Sequence, residues 1–105
     1  MAPRMCALLA AATVAWATCE AAQGADATLP RNLAATCANC HGTGGVSVGG
    51  FVSLAGTKKE DLAGKLMEYK AGTRQGTVMP QLAKGYTDAQ IDLIAGWFAA
   101  QPAAR

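Results

Sequence analysis

The sequence predicts a small all-α domain. Two stretches, at about 57–71 and 87–100, carry apolar side chains at helical spacing between a start signal and a stop signal. Glycine-rich connections separate the helical stretches, and no stretch alternates apolar and polar residues as a half-buried strand does. With 105 residues the chain has room for one domain, whose modest core needs a disulfide, metal or cofactor to stabilise it.

The N-terminal segment has the pattern of a secretory signal peptide. A basic start precedes an apolar run at about 5–17, and small residues lead to a predicted cleavage after Gly24. The apolar run is short for a membrane span. A lipoprotein signal acylated at Cys19 is disfavoured, because the residues before it fit that motif poorly. The sequence therefore predicts a signal peptide at 1–24, a mature domain at 25–105 and a periplasmic location.

The first helix is predicted to begin near Thr28, with Pro30 in its first turn, and to continue into the motif CANCH at 37–41. The glycine-rich segment 42–50 follows as a loop. It lacks the preceding strand and the terminal Gly-Lys-Ser/Thr of a phosphate-binding loop. We expect its backbone to pack closely against a bulky group instead.

The second helix is predicted to start at Thr57, which forms a capping box with Glu60, and to run to about Ala71. Gly72 is its predicted stop. Helical spacing assigns three residues to its buried face: Leu62, Leu66 and Tyr69.

The third helix repeats the capping box, with Thr87 and Gln90. It is predicted to run from Asp88 to about Ala100, just before a proline. Its predicted inner face consists of Ile91, Ile94, Ala95 and Phe98.

The charge balance is mild, with a formal net charge of +2 and no basic run of the kind that binds nucleic acid. A solvated helix face explains most of the lysines, and steering of an acidic partner is the alternative. These lysines are Lys58, Lys59, Lys65, Lys70 and Lys84.

The motif CANCH can serve a redox dithiol, a zinc site or a covalently attached haem. Cys37, Cys40 and His41 are three and four residues apart, so on a helical turn they face one planar ligand. Zinc needs four ligands, and the predicted mature chain has no further Cys or His. A thioredoxin-like dithiol needs a βαβ unit. The sequence therefore predicts one haem c, attached by thioethers from Cys37 and Cys40, with His41 on the iron.

The second axial ligand must come from the methionines of the mature chain. Met67 lies inside the second predicted helix, where a core methionine is the favoured interpretation. Met79 lies in an irregular stretch, and Pro80 behind it forbids simple continuation of a helix. A loop can bring a thioether to the iron more easily than a helix interior can. The sequence predicts Met79 as the ligand, with a buried loop methionine under an open iron as the alternative.

This arrangement resembles the class I c-type cytochromes, in which a CxxCH motif ends the first helix, a methionine follows in a late loop, and a last helix carries aromatic residues. The resemblance covers essentially the whole mature chain and implies three main helices around one covalently bound haem. It also implies that a small residue of the first helix packs on the last helix. The candidates are Ala34 or Ala35 with Gly96 and either Trp97 or Phe98.

A narrower resemblance lies in YKAGTR, the later methionine and AKGYTDAQI. This run is similar to the cytochrome subunit of flavocytochrome c sulfide dehydrogenases, in its one-haem form. The resemblance implies an FAD-containing flavoprotein partner that oxidises sulfide and passes single electrons to the haem. Class I cytochromes often have a proline after the motif whose carbonyl orients the axial histidine, but 42–56 contain none. We therefore expect another carbonyl to hold His41.

Taken together, these features predict a periplasmic electron carrier and not an enzyme, because beyond the haem thiols there is no nucleophile or acid–base pair. The first alternative is a free-standing carrier for an oxidase or reductase. The second is a haem gas sensor with Met79 off the iron. Arg74 is equally interpreted as a haem propionate partner or an exposed loop residue, and Tyr86 and Trp97 are interpreted as core.

Overall fold

The computed structural model describes residues 26–105, so the predicted signal peptide and its cleavage site lie outside the described residues. The described chain is helical and contains no strand, which confirms the all-α prediction. Its α-helices are α1 (Leu29–Ala34), α2 (Ala38–His41), α3 (Lys59–Ala71), α4 (Met79–Lys84) and α5 (Asp88–Ala99). Single turns of 3-10 helix at Ala35–Cys37 and Thr43–Gly45 flank α2.

Three helical bodies form the domain, namely the run from α1 to α2, then α3, and then α5. Their apolar faces meet in one buried cluster. The cluster contains every residue predicted for the buried faces of the second and third helices except Tyr69, which is only half-buried. The cluster consists of Ala34, Leu62, Leu66, Ile91, Ile94, Ala95 and Phe98.

Where α1 crosses α5, one of the expected small residues, Ala34, is buried, but the other, Gly96, is not the small residue buried on α5. Ala34 is buried while its neighbour Ala35 is exposed. On α5 the buried small residue is Ala95, whereas a side chain added at Gly96 would lie 3.7 Å from the Lys59 side chain of α3. The expected role of Gly96 in this crossing is therefore wrong, because it faces the start of α3.

The predicted start of the second helix is wrong by one residue. The first backbone hydrogen bond of α3 runs from Leu62 to the carbonyl of Lys58, so Lys58 is the N-cap, and no side chain caps the helix. The N–H of Thr57 instead donates to the carbonyl of Leu54 and completes the preceding turn. Glu60 is consequently the second helical residue, one position too early for a capping box.

The other predicted helix ends are confirmed. Thr87 caps α5: its hydroxyl accepts from the Gln90 N–H at 3.1 Å, and the Gln90 side chain accepts from the Thr87 N–H at 2.9 Å. Gly72 ends α3 in the left-handed conformation, with φ of 80°. Both features depend on residues within one turn of each other, and such local signals are legible in sequence.

The lysine-rich face contributes ion pairs between helices. Lys59 of α3 pairs with Asp92 of α5 at 2.9 Å, and Lys70 pairs with Asp88 at 2.7 Å. The carboxylates are largely exposed, so each pair adds at most about 1 kcal/mol to stability. These contacts support the interpretation of a solvated helix face.

The loop after α2 packs against the core through Gly45, which confirms the expectation of a close backbone approach. Gly45 is buried with φ of +81°, and a Cβ added to it would lie 2.7 Å from Cδ1 of Phe98. Its carbonyl accepts hydrogen bonds from the backbone N–H groups of Leu54 and Ala55. The bulky group that the glycine accommodates is therefore the ring of Phe98.

Replacing Gly45→Ala is expected to destabilise the domain by about 3 kcal/mol, because the new methyl group meets Phe98 and the left-handed backbone is strained. Gly44→Ala is the matched control, since Gly44 has φ of +65° but no atom within 4 Å of an added Cβ. The control should lose only about 1 kcal/mol. Denaturant unfolding of the holoproteins measures both, and equal losses would refute the packing role of Gly45.

Candidate haem-binding site

A cavity of about 590 Å³ lies among the CANCH segment, α3, α4 and α5. Cys37, Cys40 and His41 line it, and so does Met79 from α4. The structure therefore brings all four residues predicted from sequence to one cavity. Apolar side chains of the helices supply much of the remaining lining, including Leu62, Leu66, Val78, Leu82, Ile94 and Phe98.

The backbone around the motif sets the direction of its side chains. Cys40 and His41 lie on α2, which ends at Gly42 with φ of 84° and ψ of 160°. A Cβ at Gly42 would lie 1.9 Å from the carbonyl oxygen of Val46, so only glycine fits there. This sharp ending turns the following loop back toward the histidine.

The loop provides a hydrogen-bond acceptor for the imidazole of His41. Its Nδ1 lies 2.6 Å from the carbonyl oxygen of Val52. A carbonyl can only accept, so Nδ1 carries the proton, and Nε2 keeps its lone pair for a metal. The edge of the Phe51 ring also packs on the imidazole, with the ring centres 6.0 Å apart. The expected carbonyl partner of His41 is therefore that of Val52, which no pattern in the sequence singled out.

The two thiols of the motif differ in their surroundings. Cys37 is half-buried and Cys40 is exposed, and both are free thiols. Burial raises the pKa of the Cys37 thiol, and a hydrogen bond with the Thr36 side chain opposes that shift.

Met79 lies in a helix and not in the irregular stretch that was predicted. It is the first residue of α4, and Pro80 is the second. Proline is compatible with this position because the first helical N–H groups have no partner within the helix. Met79 is half-buried and packs against the core cluster. The proline was the available signal for this short helix, but it was interpreted as a helix breaker.

Met67 is not the core residue that was predicted. Its exposed fraction is 37%, and it does not line the cavity. Of the two candidate methionines, Met79 lines the cavity and Met67 does not.

Five further side chains of the cavity lining carry polar groups, namely Thr36, Lys65, Tyr69, Arg74 and Tyr86. Arg74 pairs with Glu68 at 2.9 Å, and its guanidinium lies 5.4 Å from the centre of the Tyr69 ring. Tyr86, predicted as core, is half-buried, and its hydroxyl lies 2.7 Å from that of Thr36. The role of Thr36 was missed, because a threonine before this motif has no distinctive sequence signal.

Curated relatives match about two thirds of the chain or somewhat less. The chain is 44% identical over 66 residues to the cytochrome subunit of sulfide dehydrogenase from Chlorobaculum tepidum, a match that covers 63% of this chain and 60% of that protein. It is 38% identical over 61 residues to cytochrome c-552 from Acidithiobacillus ferridurans, covering 58% of this chain and 26% of that protein. Over these matched residues the chain is similar to cytochromes, which supports the interpretation of a c-type cytochrome.

The chain also matches the thiosulfate dehydrogenase electron acceptor of Thiomonas intermedia, with 39% identity over 70 residues, a match that covers 63% of this chain and 32% of that protein. The matches thus span 60% or less of the length of these relatives. No family model matches the chain. Within residues 26–105, every helix is too short or too polar to cross a membrane.

The cytochrome relatives imply haem binding, and the residues of the cavity fit that group. A volume of about 590 Å³ with mostly apolar walls is in the range of sites for cofactors of this size. The cavity presents two free thiols, an imidazole whose Nδ1 is occupied, and one thioether. This donor set is that of a covalently attached haem with histidine and methionine ligands.

Proposed function

We propose that this cytochrome carries one haem, joined by thioethers to Cys37 and Cys40, with His41 and Met79 as axial ligands of the iron. The observation that carries the proposal is the convergence of these four side chains on one cavity. Haem supplies an iron that takes up and releases one electron at a time. The protein is accordingly a single-electron carrier and does not transform a substrate.

The neighbours of His41 support its role as a ligand. The hydrogen bond from Nδ1 to the Val52 carbonyl fixes the tautomer and the ring orientation, and it raises the basicity of Nε2. Because Val52 belongs to the loop that begins at Gly42, the rigid turn at Gly42 helps to hold the ligand in place.

The surroundings of Met79 support a raised reduction potential. Thioether sulfur is a soft and neutral ligand, which favours the ferrous state over the ferric state. The buried apolar cluster against which Met79 packs adds to this preference, because a low dielectric disfavours the extra positive charge of ferric iron.

The partner we propose is an FAD-containing flavoprotein that oxidises sulfide and delivers single electrons to this chain. The relative from Chlorobaculum tepidum, named as a cytochrome subunit of sulfide dehydrogenase, supports this assignment. We further propose that the segment 1–24 is a signal peptide that directs the domain at 25–105 to the periplasm.

A second candidate is a free-standing carrier that serves another dehydrogenase, oxidase or reductase. Relatives from Thiomonas intermedia and Stutzerimonas stutzeri, named thiosulfate dehydrogenase electron acceptors, favour this candidate. The two candidates share the same haem chemistry and differ in the partner.

An optical spectrum of the protein, purified gently from the periplasm of its own organism, distinguishes the candidates. We expect haem and co-purifying flavin, both reduced when sulfide is added. Thiosulfate, added to a separate oxidised aliquot, is the matched control and should reduce neither. Haem without flavin, inert to sulfide and reduced only by dithionite, would contradict the flavoprotein partner and favour the free carrier.

A further inference from the structure

The Thr36 and Tyr86 side chains connect two distant parts of the haem cavity. Their hydroxyl oxygens lie 2.7 Å apart, although the residues are 50 positions apart in sequence. Thr36 directly precedes Cys37, and Tyr86 follows the short helix that begins with Met79. Among residues 26–105 this is the single hydrogen bond between the run 29–45, which carries the haem-attachment motif, and the run 76–86.

Both hydroxyls are anchored to the segments that they connect. The backbone N–H of Tyr86 donates to the carbonyl of Ala83 at 3.2 Å, and Ala83 is fully buried within α4. The Thr36 hydroxyl lies 3.4 Å from the carbonyl of Leu33 in α1 and can donate to it while accepting from Tyr86. A shift of α4 away from the motif must therefore break this bond.

We propose that the Thr36–Tyr86 hydrogen bond, here called the clamp, is a positioning element that holds Met79 at the distance from the motif at which its sulfur stays on the iron. The clamp rests on the proposed axial ligation by His41 and Met79. Neither hydroxyl binds the iron. Both act through the position of α4, because this helix begins at Met79 and ends two residues before Tyr86.

The expected effect follows from the strength of one hydrogen bond. Loss of the clamp should shift the equilibrium from methionine-bound to open iron by about threefold. This shift is in the lower half of the range expected for the loss of one hydrogen bond, because Thr36 is exposed. An external ligand that competes with Met79 measures this shift directly. Its apparent affinity increases in proportion to the open fraction.

The experiment is a titration of the ferric holoprotein with imidazole, followed by absorbance. Tyr86→Phe removes the hydroxyl and keeps the ring, and Thr36→Val removes the other hydroxyl and keeps the shape. We expect each variant to bind imidazole about threefold more tightly than the parent. The double variant should bind no more tightly than either single variant, because both remove the same bond. Thr36→Ser keeps a hydroxyl and should restore the parent affinity.

Two controls separate positioning from other effects. Ile91→Val removes a buried methylene from α5, and Ile91 does not line the cavity, so this variant loses stability with the clamp intact. Met79→Ala gives the imidazole affinity of a site whose iron has no methionine ligand. If Ile91→Val tightens imidazole binding as much as Tyr86→Phe does, the clamp is refuted and general stability is the cause.

The remaining outcomes identify which assignment fails. If Met79→Ala binds imidazole more tightly while Tyr86→Phe and Thr36→Val match the parent, the clamp is wrong and the axial ligand stands. If Met79→Ala itself matches the parent, Met79 is not the ligand, and both assignments fall.

Discussion

A chain in which Cys37 and Cys40 are both replaced by alanine is expected to be largely unfolded. The variant cannot hold haem covalently, and the cavity of about 590 Å³ would then lie among α3, α4 and α5 without its main apolar contact. Leaving such a volume unfilled costs on the order of 10 kcal/mol. That is comparable to the whole stability of a small domain, about 5–15 kcal/mol. Far-UV circular dichroism and a thermal melt measure the loss.

The matched control lies within the same motif. Asn39, between the two cysteines, is exposed and does not line the cavity. Asn39→Ala should keep the haem and melt as the parent protein does. A cooperative, native-like melt of the double cysteine variant without haem would show that the helices fold on their own, contrary to this prediction.

Met79→Ala is expected to lower the reduction potential and to open the iron to external ligands. Loss of the thioether removes the soft ligand that favours the ferrous state, so the potential should fall by on the order of 100 mV. Potentiometric titration measures the potential. The rate of carbon monoxide binding to the reduced protein measures the opening of the site.

Met67→Ala is the control for this prediction, because it removes the same side chain from α3 at an exposed position that does not line the cavity. It should change neither the potential nor ligand binding. An unchanged spectrum and potential in Met79→Ala would remove Met79 from its role. Rapid carbon monoxide binding to the parent protein would favour the gas-sensor alternative, in which Met79 is off the iron.

Several features were predictable because they depend on residues close together in sequence. The capping box of Thr87 and Gln90 and the stop at Gly72 were both found where expected. The spacing of Cys37, Cys40 and His41 on helical turns likewise predicted one shared face, and all three residues line one cavity. Each of these depends on hydrogen bonds or side-chain directions within about one turn of helix.

Other features escaped prediction because a local signal had more than one structural solution. Thr57 and Glu60 had the spacing of a capping box, but the turn before α3 uses the Thr57 N–H and moves the start to Lys59. Pro80 permits both a loop and the first turn of a helix, and packing of α4 on α3 selects the helix.

The sequence by itself therefore determined the helical class, and it predicted haem attachment at the CANCH motif with Met79 as candidate ligand. Only the tertiary structure decided which carbonyl holds His41, which glycine accommodates Phe98, and that Thr36 meets Tyr86. The physical reason is the range of the interactions. Propensity and capping act over a few residues, whereas these three contacts join positions 11, 53 and 50 residues apart, whose meeting depends on how the helices pack.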